Sequence, residues 1–169
     1  MGFMKEPEGI GIVAFAFGVP DSILSNKRIA QIALQKALEL EAPVYTQFDV
    51  YIESDIDIEF TEEELGNPLP TLRMARGTVQ WAKQQGFRKL WVVAAKPHLR
   101  RCLRDLKYAV REAEAQIDVL VCKEIEQYPE DEWFCLDSTQ ERTRSRKAWN
   151  QRERILRFMP MFLYKRVAC

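Results

Sequence analysis

The run "GIGIVAFAF" (Gly9–Phe17) constrains the fold more than any other stretch of this chain. It is continuous, apolar and rich in β-branched and aromatic residues, with no polar residue to turn toward water. Such a segment predicts a strand buried on both faces, as in a parallel sheet sandwiched between helices. It ends at the turn cluster "GVPDS", and "NKRIAQIALQKALELE" follows with Ile29, Ile32, Ala33, Ala37 and Leu40 at helical spacing. Ser25 or Asn26 is the expected cap of that helix. "APVYTQF", "RKLWVVAA" and "IDVLVC" read as further strands; helices are expected from Thr71 to Gly86, which ends the first of them, and from Pro97 to Ala115. This alternation predicts one Rossmann-like α/β domain over residues 1–169. It is a three-layer sandwich with a mainly parallel sheet of about four to five strands and helices on both faces.

Two stretches stand outside that rhythm. Every charge from Glu41 to Asn67 is negative, and within it "YIESDIDIEF" alternates apolar with acidic residues, the period of a strand. This acidic arm, residues 49–64, is expected at a sheet edge, where charge discourages edge pairing; a metal ladder is the lesser alternative. Residues 139–159, in contrast, are expected to form a strongly basic helix, bent or ended near Pro160. Acids and bases balance at 25 each, so only their distribution is informative. Opposed halves can pair within the chain, pair across a homodimer, or bind an anion at the basic end.

Cys102, Cys122, Cys135 and Cys169 are far apart in sequence and accompany a single histidine, so no metal site is expected. The expected state is a cytoplasmic protein with reduced thiols. The apolar run near the start is much shorter than a membrane span, and Glu6 stands where myristoylation prefers Ser or Thr.

The segment "WVVAAKPHLRRCLRDLKYAVREA" holds the lone histidine. Pro97 suits the first turn of a helix, since its missing N–H has no partner there. On a helical wheel Leu99, Cys102, Leu103, Leu106, Val110 and Ala113 form the core face, while Arg100, Arg104, Lys107 and Arg111 form a basic flank. His98, Arg101 and Asp105 fall on the other flank, with His98 and Arg101 as neighbours. A titratable ring and a guanidinium at a helix start, just past the carboxyl end of a strand, suit an anion. The competing reading makes His98 an exposed first-turn residue and the arginines a solvated face; the spacing alone does not choose.

The loop after the first strand carries Gly18, Asp21, Ser22 and, in the following helix, Arg28. With one glycine it is no phosphate loop, but these side chains can contact a polar ligand. No GxSxG elbow is present, and Cys102 belongs to a core face, so a nucleophilic pair with His98 is disfavoured. Trp133, Phe134, Trp149, Phe158 and Phe162 are expected to pack the last helix rather than stack bases, and no nucleic-acid motif is matched.

In the order of these features the chain resembles the YdcF-like domain family, which includes the SanA and ElyC envelope proteins. "KLWVVAA" running into "KPHLRR" is similar to the family's strand and His-x-x-Arg signature, matching His98 and Arg101. "PTLRMARGTVQWAKQQGF" resembles its Asn-Thr helix start, with Asn67 and Thr71; Arg28 matches the arginine of the first helix, and Trp149 and Glu153 the closing one. The acidic arm stands where members carry a helix. The resemblance implies a Rossmann-like domain of unsettled activity, with S-adenosylmethionine or another nucleotide-like ligand and a link to envelope polymer metabolism.

Together these readings predict a small anionic or nucleotide-like molecule bound at the carboxyl edge of the sheet. Arg101 would neutralise it and His98 would donate a hydrogen bond or act as general acid or base. Thr71, Asp21, Ser22, Arg28 and Gly18 would supply contacts. The alternative is a non-catalytic assembly protein pairing its acidic arm with its basic helix.

Overall fold

The computed structural model describes residues 9–63 and 69–168. The Met1-Gly2 start, Glu64 of the acidic arm, the Gly66–Asn67 part of the turn before Thr71, and Cys169 lie outside the described residues.

The expected alternation is present. Strands β1 (Gly9–Ala14), β2 (Val44–Thr46), β3 (Ile58–Phe60), β4 (Phe87–Val93) and β5 (Asp118–Val121) form one sheet in the order β3-β2-β1-β4-β5, parallel throughout. Helices α1 (Leu24–Leu40), α2 (Thr71–Gln85) and α3 (Lys96–Glu112) are crossovers, and α4 (Arg146–Phe158) and α5 (Met161–Val167) close the chain. The pleat sorts β1 into two cores. Ile12 and Ala14 face α1 through Ile29, Ala33 and Ala37, with Ile125 and Trp133 beside them. Val13 and Phe15 face α2 and α3 through Met74, Val79, Cys102 and Leu106. Helices on both faces make the three-layer, Rossmann-like sandwich. β1 lies between β2 and β4, so the crossovers leaving β1 and β4 diverge and open a crevice at their carboxyl ends.

Three expectations need correction. The acidic arm does reach the sheet edge, but only Ile58–Phe60 pair as a strand, not the whole alternating stretch. A strand parallel to β2 needs a crossover, and the preceding residues serve as one, burying Val50 and Ile52 on the way. The basic helix begins only at Arg146, capped by Ser145, whose Oγ accepts from the Ala148 N–H at 3.3 Å. Residues 139–145 before it are irregular apart from one short 3-10 turn at Glu141–Thr143. Finally, Ser25 and Asn26 lie inside α1, whose cap position is Ile23. Instead of capping, Ser25 Oγ donates to the Phe17 carbonyl at 2.8 Å, while Asn26 accepts from the Phe17 N–H at 2.9 Å and donates to the Gly18 and Pro20 carbonyls. These bonds fix the exit of β1. Among the described residues no helix is long and apolar enough to cross a membrane.

Candidate functional site

At the divergence of β1 and β4 lies a pocket of about 290 Å³. Its floor is the segment just past β1 (Phe15–Gly18); its sides come from Thr71 at the start of α2, His98 and Arg101 on α3, and Arg142, Trp149 and Arg152 from the closing segment.

The local folding explains each placement. Burial of the core face of α3 fixes its rotation, and the flank with His98, Arg101 and Asp105 then points toward α4 and α5 rather than to water. His98 is 7% exposed and Asp105 fully buried, so the exposed first-turn reading of His98 does not hold. Its ring lies 5.3 Å from Trp149 and 6.0 Å from Phe17, centroid to centroid. The Trp149 indole N–H donates to the Pro97 carbonyl at 3.2 Å, which pins α4 to the start of α3.

Gly18 has φ +92°, and a Cβ there would meet Ser138 Oγ, Ile23 Cδ1 and Thr143 Oγ1 at 2.7–2.8 Å. The absence of a side chain lets the segment 138–143 lie directly on the β1–α1 loop. Val19 and Thr139 are joined there by an N–H to carbonyl bond of 2.8 Å, and Ser138 Oγ accepts from the Val19 N–H at 3.2 Å. That seat carries Arg142 into the pocket.

His98 Nε2 is 3.1 Å from Thr71 Oγ1, and Nδ1 has no well-directed hydrogen-bond partner among the described residues. Burial, reinforced by the charges of Arg101, Arg142 and Arg152, holds the ring well below the ordinary histidine range, against a weaker opposing effect of the Ala16 backbone. The imidazole is therefore neutral at physiological pH. It can donate through one nitrogen and accept through the other, or take a proton, but it is no reservoir of acid protons.

The guanidinium charges are unevenly matched. Arg101 Nε stands 2.9 Å from Glu153 Oε1, although neither atom completes a well-directed hydrogen bond. Arg101 also lies over the Trp149 ring at 5.4 Å. Arg142 and Arg152 have no hydrogen bond or ion pair among the described residues. Burial, then repulsion from Arg152 and Arg101, pushes Arg142 down to about 10; burial and Arg101 lower Arg152 as well. Burial raises Glu153, with Arg101 acting against it. Among the described residues one carboxylate thus faces three guanidinium groups.

Of the residues expected from the sequence, His98, Arg101, Thr71 and Gly18 line this pocket. Asp21 and Ser22 are exposed and do not line it. Arg28 is also elsewhere: it donates to the Glu132 carbonyl at 2.8 Å and stacks on Tyr128 at 4.1 Å, because its position on α1 faces the 3-10 turns after β5. Arg142 and Arg152 were not foreseen. Arg152 had a usable signal: Trp149, Arg152, Glu153 and Leu156 share one face of α4 at spacings of three and four. Arg142 precedes the helix, and only the Gly18 seat places it. Phe158 and Phe162, expected to pack the last helix, are 81% and 68% exposed. Cys102 lies in the core with its thiol raised by burial, which leaves it inert toward His98.

Compared with protein-family models, curated proteins and solved structures, the chain matches none.

Proposed function

We propose that the pocket at the end of β1 and β4 binds a small anionic group, with phosphate or a phosphorylated metabolite as its chemical class. The observation that carries this reading is that, among the described residues, Arg142 and Arg152 line the pocket without a counter-charge of their own, beside an Arg101 that stands against Glu153. Converging cations with one carboxylate among them repel each other, and an anion relieves that repulsion while accepting from their N–H groups. Thr71 Oγ1 and the neutral His98 would complete the polar lining. The same reading keeps the YdcF-like resemblance as a proposal, with His98 and Arg101 as the matching pair and envelope polymer metabolism as its context. A volume of about 290 Å³ is below the range of sites that enclose drug-sized ligands. It suits an anionic head group better than a whole S-adenosylmethionine, whose sulfonium would also meet three arginines.

Titration calorimetry with inorganic phosphate tests this. A hydrogen bond to a charged partner is worth about 1.5–3 kcal/mol, so Arg142→Gln and Arg152→Gln should each weaken phosphate by roughly 10- to 150-fold. Unchanged affinity in both variants refutes the reading.

A second reading, self-assembly, is favoured by exposed apolar residues beside both the acidic arm and the basic closing helices. Phe48 and Phe60 stack at 5.2 Å on the acidic arm, and Ile155, Phe158 and Phe162 are exposed beside the basic α4 and α5. It predicts a dimer that dissociates with salt in sedimentation; a monomer at all ionic strengths discards it.

A further inference from the structure

We infer that the groove between α3 and α4 extends the inner pocket into a track for a linear oligophosphate, an inference that rests on the anion reading of that pocket. The groove has a volume of about 740 Å³ and shares Arg101 and Trp149 with the pocket, so those two side chains border both spaces. Its walls are helical stripes. α3 contributes Arg100 and Arg104, four residues and about 6 Å apart along the axis, and α4 contributes Arg154 and Arg157 on the facing side.

The charges again outnumber their partners. Lys96 is held by Glu126 at 2.7 Å and Arg104 by Asp105 at 3.1 Å. The groove's own acids, Glu153 and Glu130, already face Arg101 and Arg146. Arg100, Arg154 and Arg157 have no hydrogen bond or ion pair among the described residues. Two helices thus present like charge to one space, leading from a pocket too small for more than a head group. A ligand with anionic groups repeated along its length satisfies both spaces. Single-stranded nucleic acid fits less well, because Trp149, the one aromatic lining the groove among the described residues, is 3% exposed and packed on Phe17.

Calorimetry on the full chain with phosphate, tripolyphosphate and ATP tests the inference. Tripolyphosphate should bind about tenfold more tightly than phosphate, the combined worth of two or three exposed charge contacts. The Arg154→Gln/Arg157→Gln double variant should lose most of that gain while its phosphate affinity stays within about twofold, since neither residue lines the inner pocket. Arg142→Gln should weaken both probes. ATP tests the source of the chain: affinity equal to tripolyphosphate assigns recognition to the phosphates, greater affinity adds a contact to the nucleoside, and either retains the inference. Equal binding of phosphate and tripolyphosphate by the wild type overturns the track, as does a gain that survives in the double variant. Phosphate binding indifferent to both Arg142→Gln and Arg152→Gln overturns the pocket reading instead, and no binding of any probe overturns both.

Discussion

Replacing Tyr164 by Phe tests whether the buried carboxylate of Asp105 fastens the closing segment to α3. Asp105 is fully buried on α3, and Tyr164 on α5 is 1% exposed. The Tyr164 hydroxyl donates to Asp105 Oδ2, while Oδ1 accepts from Arg104 Nε at 3.1 Å. Tyr164→Phe removes one oxygen and leaves Oδ2 buried without a donor. Loss of a hydrogen bond to a charged, desolvated acceptor costs about 2–3 kcal/mol. For a chain of this size that lowers the melting temperature by about 5–10 °C. The pH dependence makes the test specific. Burial raises the Asp105 carboxyl, with Tyr164 and Arg104 pulling it back, so the native state holds this proton at pH values where the unfolded chain has released it. Stability from this group is therefore present in acid and falls as pH rises through the folded value. Removing the Tyr164 donor raises that value further, so the deficit of the variant should be largest near neutral pH and shrink toward acid. Urea unfolding across that range measures it. A deficit below about 0.5 kcal/mol, or one flat with pH, refutes the argument. In the Asp105→Asn background the Tyr164→Phe deficit should shrink, because no buried carboxylate is then left short of a donor.

Further outcomes follow from the same structure. Asp49 is 3% exposed and burial, with Glu63 and Asp21, pushes its carboxyl up to about 6. Its ionised form opposes folding, and that penalty develops as pH rises from the unfolded carboxylate value toward 6. Asp49→Asn should therefore stabilise the protein by about 1–3 kcal/mol at pH 7 and by little at pH 4, read from denaturant midpoints. Gly18→Ala should destabilise by about 2–4 kcal/mol and weaken phosphate binding, since the new methyl must displace Thr143 beside Arg142; a stable variant with normal binding would disprove that seat. Asn26→Ala should destabilise by about 2–4 kcal/mol, because the Phe17 N–H and the Gly18 and Pro20 carbonyls lose its amide, and a thermal melt measures it.

The layers of the fold were legible in the sequence because burial on two faces leaves a clear mark. "GIGIVAFAF" and "KLWVVAA" have no polar face to misread, and the Leu and Ala stripes of α1 and α3 have the helical period. The acidic arm was misread because period two describes side-chain alternation, not hydrogen bonding; Val50 and Ile52 turn inward from a connection, not from a ladder. At the site, His98 and Arg101 were visible as a pair left over once packing had claimed its share of α3. Their burial was not, because the cover is α4 and α5, whose arginine-rich sequence looks like a solvated surface. Arg28 misled for a related reason: its place near the start of α1 is consistent with ligand contact until Glu132 and Tyr128 claim it. Arg142 depends on a long-range fit to Gly18, and no local pattern encodes it.

The seat on Gly18 also joins two unequal parts of the molecule. All five strands and the helices that cover them lie before residue 122, whereas Arg142 and Arg152 arrive on a segment that adds no strand. Hydrogen exchange should accordingly divide the molecule, with the slowest amides in β1 and β4 and faster ones from 138 onward. An anion held by those arginines would slow exchange and proteolytic cutting in that segment first, while the sheet would register little change. Occupancy of the pocket would then be readable as a local clamp, by a protease and a gel.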